Sequence, residues 1–188
     1  MNVGPWSNLN SFSCKGNEIE IINELYKPKS FIYDEPLDQS KIIKFKNVRD
    51  INSLYPYNSL YYSMKRCFEI FELYCKENNI HYDIIIRIRF DSIVTRLPDL
   101  NILNKEYIYF SDRWHGTRSD VLCNGMVIST NYKAIQDLMK AYDRFKEYSD
   151  DGCLQNDEEI CIHVMKKNKH PVIVLPQYIF QNLFDRKN

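Results

Sequence analysis

Arg87, Arg89 and Asp91 stand two residues apart at the end of the run YDIIIRIRFDS, Tyr82 to Ser92. In an extended strand, side chains two apart share a face. These three therefore align with Ile85, while Ile84, Ile86, Ile88 and Phe90 take the other face. Two guanidinium forks can neutralise phosphate oxygens. An aspartate beside them can hold a hard divalent ion of the Mg²⁺ type that bridges the same oxygens. The same trio can also close on itself as an Arg–Asp cluster at a strand end.

A second group is NDEEI, Asn156 to Ile160, with Asp157, Glu158 and Glu159 in succession. Capping and the helix dipole account for one or two acids at a helix start. A third is surplus, and crowded carboxylates raise each other's pKa, which suits a general base. In SDRWHGTRSD, Trp114 and His115 sit at the centre of a polar loop. They can stack on and hydrogen-bond to a sugar ring or base, or the Trp can pack down as an anchor. In SDVLCNGMVIS, Gly125 lets a ligand approach the backbone closely, or marks a turn before a strand. His81, His163 and His170 lack metal-ligand spacing and read as structural.

Positioning these groups requires an ordered set of elements. The apolar run around Ile84 to Ile88 reads as a central strand of an α/β sheet. Ligands of open α/β sheets bind beyond the carboxyl ends of the strands, where the charges lie. The competing reading is a solvent-facing edge strand. A helix over about 59–77 precedes it, with Leu60, Met64, Cys67, Phe68, Phe71, Tyr74 and Cys75 on one stripe. That pairing is the second half of a βαβ unit. Further strands are expected at KSFIYDE, EYIYFSD, NGMVIST and PVIVL. Helices are expected over about 18–26, about 132–146 and from Asn156 through EEICIHVMKKN. Residues 37–58, with Pro56, read as an irregular connection.

The 188 residues predict one domain, 1–188, large enough for a substantial core. Lys plus Arg and Asp plus Glu are 25 each, so no net field recruits nucleic acid. No run approaches the roughly 20 apolar residues of a membrane span, and no apolar signal core opens the chain. The expected location is cytoplasmic, without a transmembrane segment. Six cysteines without a C-x-x-C pair suggest neither a zinc ribbon nor a disulfide framework, and most are expected to be buried.

In order, YYSMKRCFEIFELY, DIIIRIRFD, EYIYFSD, SDVLCNGMVIS and NDEEICIHVMKKN resemble the motifs of small bacterial and viral glycosyltransferase-like proteins, over about residues 19–176. The resemblance implies an α/β, Rossmann-like glycosyltransferase A fold, with a mixed sheet flanked by helices. It implies transfer of a sugar from a nucleotide-sugar donor to a glycan or lipid-linked acceptor. Asp91 takes the metal position, for Mn²⁺ or Mg²⁺, although Phe90 and Ser92 supply no second carboxylate. Arg87 and Arg89 would order the diphosphate. Asp120 and Gly125 would line the acceptor side together with Trp114 and His115. Asp157, Glu158 or Glu159 would be the base of an inverting reaction. Such proteins begin with a hydrophobic strand and a Gly/Arg loop, neither of which precedes NVGPWSN. The expectation is therefore a fold lacking that strand, in a chain that is shortened at its start, begins internally, or carries an incomplete nucleotide pocket. The alternative is a non-catalytic relative that binds a glycan or protein partner.

Overall fold

The computed structural model describes residues 18–32, 34–48, 50–89, 92–94, 97–111, 122–175 and 180–182. The chain divides into two compact units, 1–35 and 36–188. In the first, helix α1 spans Glu18–Tyr26. It stops where Lys27 turns left-handed (φ 44°) and its N–H returns to the Asn23 carbonyl, just before Pro28. The strand expected over KSFIYDE is not formed by its described residues, which are exposed and lack a ladder partner among the described residues.

The second unit opens with an irregular strap. Two single 3₁₀ turns, Gln39–Lys41 and Ile51–Ser53, are each capped by an aspartate: Asp38 accepts from Ser40 N (2.7 Å) and Asp50 from Asn52 N (3.0 Å). Between them, Phe45 N donates to Gln155 Oε1 (3.2 Å) and Lys46 N to Ser149 Oγ (2.9 Å). Asn47 forms a parallel bridge with Leu154. The buried Asn58 amide binds both the N–H and the carbonyl of Ile43.

Helix α2 spans Leu54–Asn78, five residues earlier than the periodicity suggests. Pro56 falls in its first turn, where its missing N–H costs nothing. The buried stripe also differs from the expected one. Asn58, Tyr61, Met64 and Phe68 are covered, while Cys67, expected on the apolar stripe, is exposed. The chain continues through β1 (Ile85–Ile88), β2 (Ser92–Val94), a 3₁₀ turn at Leu100–Ile102, β3 (Ile108–Ser111) and β4 (Cys123–Ser129). After these come α3 (Tyr132–Met139), a 3₁₀ turn (Ala141–Arg144), α4 (Phe145–Asp150), α5 (Asp157–Lys167), β5 (Val172–Leu175) and β6 (Phe180–Asn182). The single helix expected over 132–146 is thus broken at Lys140. The three-residue step of the 3₁₀ turn brings Tyr142 and Phe145 onto the core together.

The described fold is mixed α/β. Four strands run in the order β1-β4-β3-β5, with β4 antiparallel to the other three, and β2 pairs with β6 apart from them. Strand β1 is therefore an edge of the described sheet, not its centre. It reads as central because both of its faces are covered. Ile85 packs with the cluster of Phe110, Val127, Phe145 and Ile160 beneath the helices, and Ile84 and Ile86 with Tyr109, Met126 and Ile128 on the other face. Only Ile88, at its end, is substantially exposed, at 45%. The β2–β6 pair, which adds a strand to the tail after Pro176, has no sequence counterpart in the expected set.

Candidate functional site

Because β1, β3 and β5 run in one direction, their carboxyl ends lie at one end of the sheet. Arg87 is in β1 on the helix-covered face, two residues after Ile85. It is half-buried, and burial lowers the pKa of its guanidinium while Asp157 pulls it back up. Arg89 lies just beyond, adding a like charge. An arginine does not discharge under such conditions, so its cost is met by partners.

The partners come from two helices. Asn156 caps α5, its side chain accepting from Glu159 N at 2.7 Å, and this places Asp157 in the first turn. From α2, Tyr61 Oη lies 3.0 Å from both the carbonyl oxygen and Oδ1 of Asp157, and 3.3 Å from Cys161 Sγ. A phenol has one hydrogen. With that hydrogen given to Asp157, the Cys161 thiol is the donor to Tyr61. Burial, followed by the nearby Cys161 and Asp157, holds the Tyr61 hydroxyl well above its usual pKa, so it stays protonated. Packing fixes its ring: the Phe145 ring sits 5.2 Å away, edge-on.

The three acids of α5 therefore separate. Asp157 joins Arg87 and Tyr61, and Glu158 is half-buried beside it in the same turn. Glu159 is exposed and lines a depression of about 640 Å³ with Asp151, Cys153, His163 and Lys167. There His163 Nε2 lies 3.1 Å from Asp151, and burial pushes the Cys153 thiol up to about 12.

Gly125 is buried inside β4 rather than in a turn before it. The ladder shifts between Phe110 and Ser111, so that β4 bulges across residues 124–126. The Ser111 hydroxyl accepts from Met126 N (3.3 Å) across the break, and the Gly125 carbonyl accepts from Arg89 N (3.2 Å). This irregularity lies against the carboxyl end of β1.

Asp91, Trp114, His115 and Asp120 lie outside the described residues. Among the described residues no three His, Cys, Asp or Glu side chains come together to hold a metal ion. Tyr61 is the residue that sequence reasoning missed. Its signal was its place three before Met64 and seven before Phe68, passed over because the expected stripe runs through Leu60 instead.

Among the described residues, no helix is long and apolar enough to cross a membrane. Comparison with protein-family models, with curated proteins and with solved structures finds no match to this chain.

Proposed function

We propose that the protein is a glycosyltransferase that moves a sugar from a nucleotide-sugar donor to a glycan or lipid-linked acceptor. One observation carries the reading: Arg87 of β1 and the acidic first turn of α5 come together at the carboxyl end of a mixed sheet. That is where α/β sheets take their ligands. Arg87 and Arg89 supply the positive charge a leaving nucleoside diphosphate needs as the anomeric carbon–oxygen bond breaks. In an inverting transfer a carboxylate takes the acceptor hydroxyl's proton while that oxygen forms the new glycosidic bond. Glu158, half-buried beside Asp157 in the first turn of α5, is the base in this reading. Resemblance of the ordered motifs to glycosyltransferase-like proteins supports the same reading, with Asp91 as a metal ligand and Trp114, His115, Asp120 and Gly125 toward the acceptor.

A second reading is a non-catalytic domain of the same build. It is favoured by the closure of the cluster, since Arg87, Asp157, Tyr61 and Cys161 answer one another's charges and hydrogen bonds. The test is a panel of UDP-, GDP-, dTDP- and CMP-sugars, each with Mn²⁺ and with EDTA, read by melting temperature and nucleotide release. A donor at about 100 times its Kd should stabilise the fold by about 2.7 kcal/mol. Arg87→Lys should weaken that shift, and Glu158→Gln should abolish release while the shift persists. A folded protein that responds to no donor in either condition supports the second reading instead.

A further inference from the structure

At the other end of β1, two adjoining cavities of about 240 and about 70 Å³ share His81, Tyr82 and Tyr132 in their walls. The larger reaches down to Phe71 and Glu72, and the smaller runs to Lys105 and Thr130. Tyr82 and Tyr132 are 41% and 39% exposed. Neither ring is loose. Tyr82 lies on Phe71 with centroids 5.8 Å apart and planes tilted by 38°, and Tyr132 lies 5.8 Å from Phe68. The Tyr132 hydroxyl donates to Glu72 Oε1 (2.8 Å), which also accepts from Gln136 (2.9 Å), and Lys140 Nζ sits 2.7 Å from Oε2. The result is a pair of fixed aromatic rings open to water, with a hydrogen-bonding rim already oriented by its own network.

We propose that these joined cavities bind a single uncharged pyranose ring, stacked on Tyr82 and Tyr132 with its hydroxyls on the rim around Glu72 and Lys105. Three observations select that class. Together the two cavities reach only the bottom of the roughly 300–1,000 Å³ range of small-molecule pockets, which suits one small ring better than a sugar carrying a nucleotide. The charged walls include acids and a base, Glu72 and Asp83 with Lys105, and Lys140 answers Glu72, so no excess of positive charge calls for a phosphate. The aromatic faces carry the negative side of the ring quadrupole, which suits the axial C–H bonds on one side of a pyranose. The site is separate from the charged cluster. Along β1, Arg89 is four residues and about 13 Å beyond Ile85, which lines the smaller cavity. The inference therefore does not rest on a transferase activity and holds equally for a protein that only binds glycans.

The probe is a set of methyl pyranosides (gluco, galacto, manno and N-acetylglucosaminyl), without nucleotide or metal, titrated against the full chain by saturation-transfer NMR. At least one should bind at millimolar concentration. Tyr82→Ala should weaken that binding about tenfold while leaving the melting temperature within a degree or two, because the side chain is partly exposed. Lys105→Ala, a second and exposed change, should weaken it less. No binding by any of the four up to 20 times about 1 mM, or binding that Tyr82→Ala leaves unchanged in a folded protein, overturns the proposal.

Discussion

At the carboxyl end of β1, a half-buried arginine is held beneath α2 and α5 with Asp157, Tyr61 and Cys161 around it. At the amino end of the same strand, Tyr82 and Tyr132 stand partly exposed over Phe71 and Glu72. The difference follows from what each group demands. A guanidinium withdrawn from water needs partners supplied from elsewhere in the chain, and here they come from α2 and α5. An aromatic ring can leave one face in water at little cost, because much of any protein surface is apolar. One end is therefore a place where a single change propagates, and the other a place where changes stay local.

Removing one charge from the carboxyl end should give the largest loss. Asp157→Ala is expected to cost about 2–3 kcal/mol, below the roughly 3–5 of a fully buried pair because Arg87 and Asp157 keep some solvent. Adding Arg87→Met should recover much of it, seen as a non-additive urea midpoint at constant m. Equal and additive losses would mean the two ends do not differ in kind. Next comes Tyr61→Phe, which removes the hydroxyl serving Asp157 and Cys161 and should cost about 1–2 kcal/mol with little change in volume. A Tyr61→Phe protein as stable as the original would show that the cluster is not organised by that phenol.

The amino end should respond more weakly. Glu72→Gln keeps the acceptor for Tyr132 and loses the ion pair to Lys140, for an expected loss of about 1 kcal/mol or less. Its acid dependence has a defined sign. Burial raises the Glu72 pKa, but bonds from Lys140, Tyr132 and Gln136 outweigh burial, so the folded value lies below the ordinary 4.5. Its stabilisation is present above pH 4.5 and lost as pH falls through the folded value.

The smallest effect belongs to neither end. Glu147, bonded to Arg144 and Lys167, has its pKa lowered to about 2, so its contribution fades between pH 4.5 and about 2. It is well exposed, and solvent screening reduces the expected contribution to about 0.5 kcal/mol. Glu147→Gln should flatten the acid limb of a melting-temperature profile slightly. A steep change there would place more weight on this surface network than on either end of β1.

Much of this arrangement was legible in the sequence. Period-two alternation put Arg87 on the face of Ile85, and the run NDEEI announced a capped acidic turn at Asn156. Strands β3, β4 and β5 sit where apolar runs end at polar residues. What the sequence concealed was long-range. An edge strand covered on both faces has the same apolar run as a central one, so position within the sheet could not be read from β1 alone. Nothing local in the tail shows that residues 180–182 pair with 92–94, because strand pairing is decided by the partner. Likewise, that Tyr61 meets Asp157 across 96 residues follows from α2 and α5 both packing on α3, and no spacing rule reports it.

The strap over residues 43–47 bears on the order in which the chain assembles. Its hydrogen bonds to Ser149 and Gln155 join positions 103 and 110 apart in sequence. Closing a loop of that length costs about 4 kcal/mol of chain entropy before any bond repays it. The buried amides of Asn58 and Gln155 give that repayment only after α2 and the α5 entry are in place to offer them. Docking of the strap is therefore expected late in folding, with its release early in unfolding. Its bonds then act chiefly as a brake on the opening rate, and the speed of refolding is set by the sheet and helices beneath it.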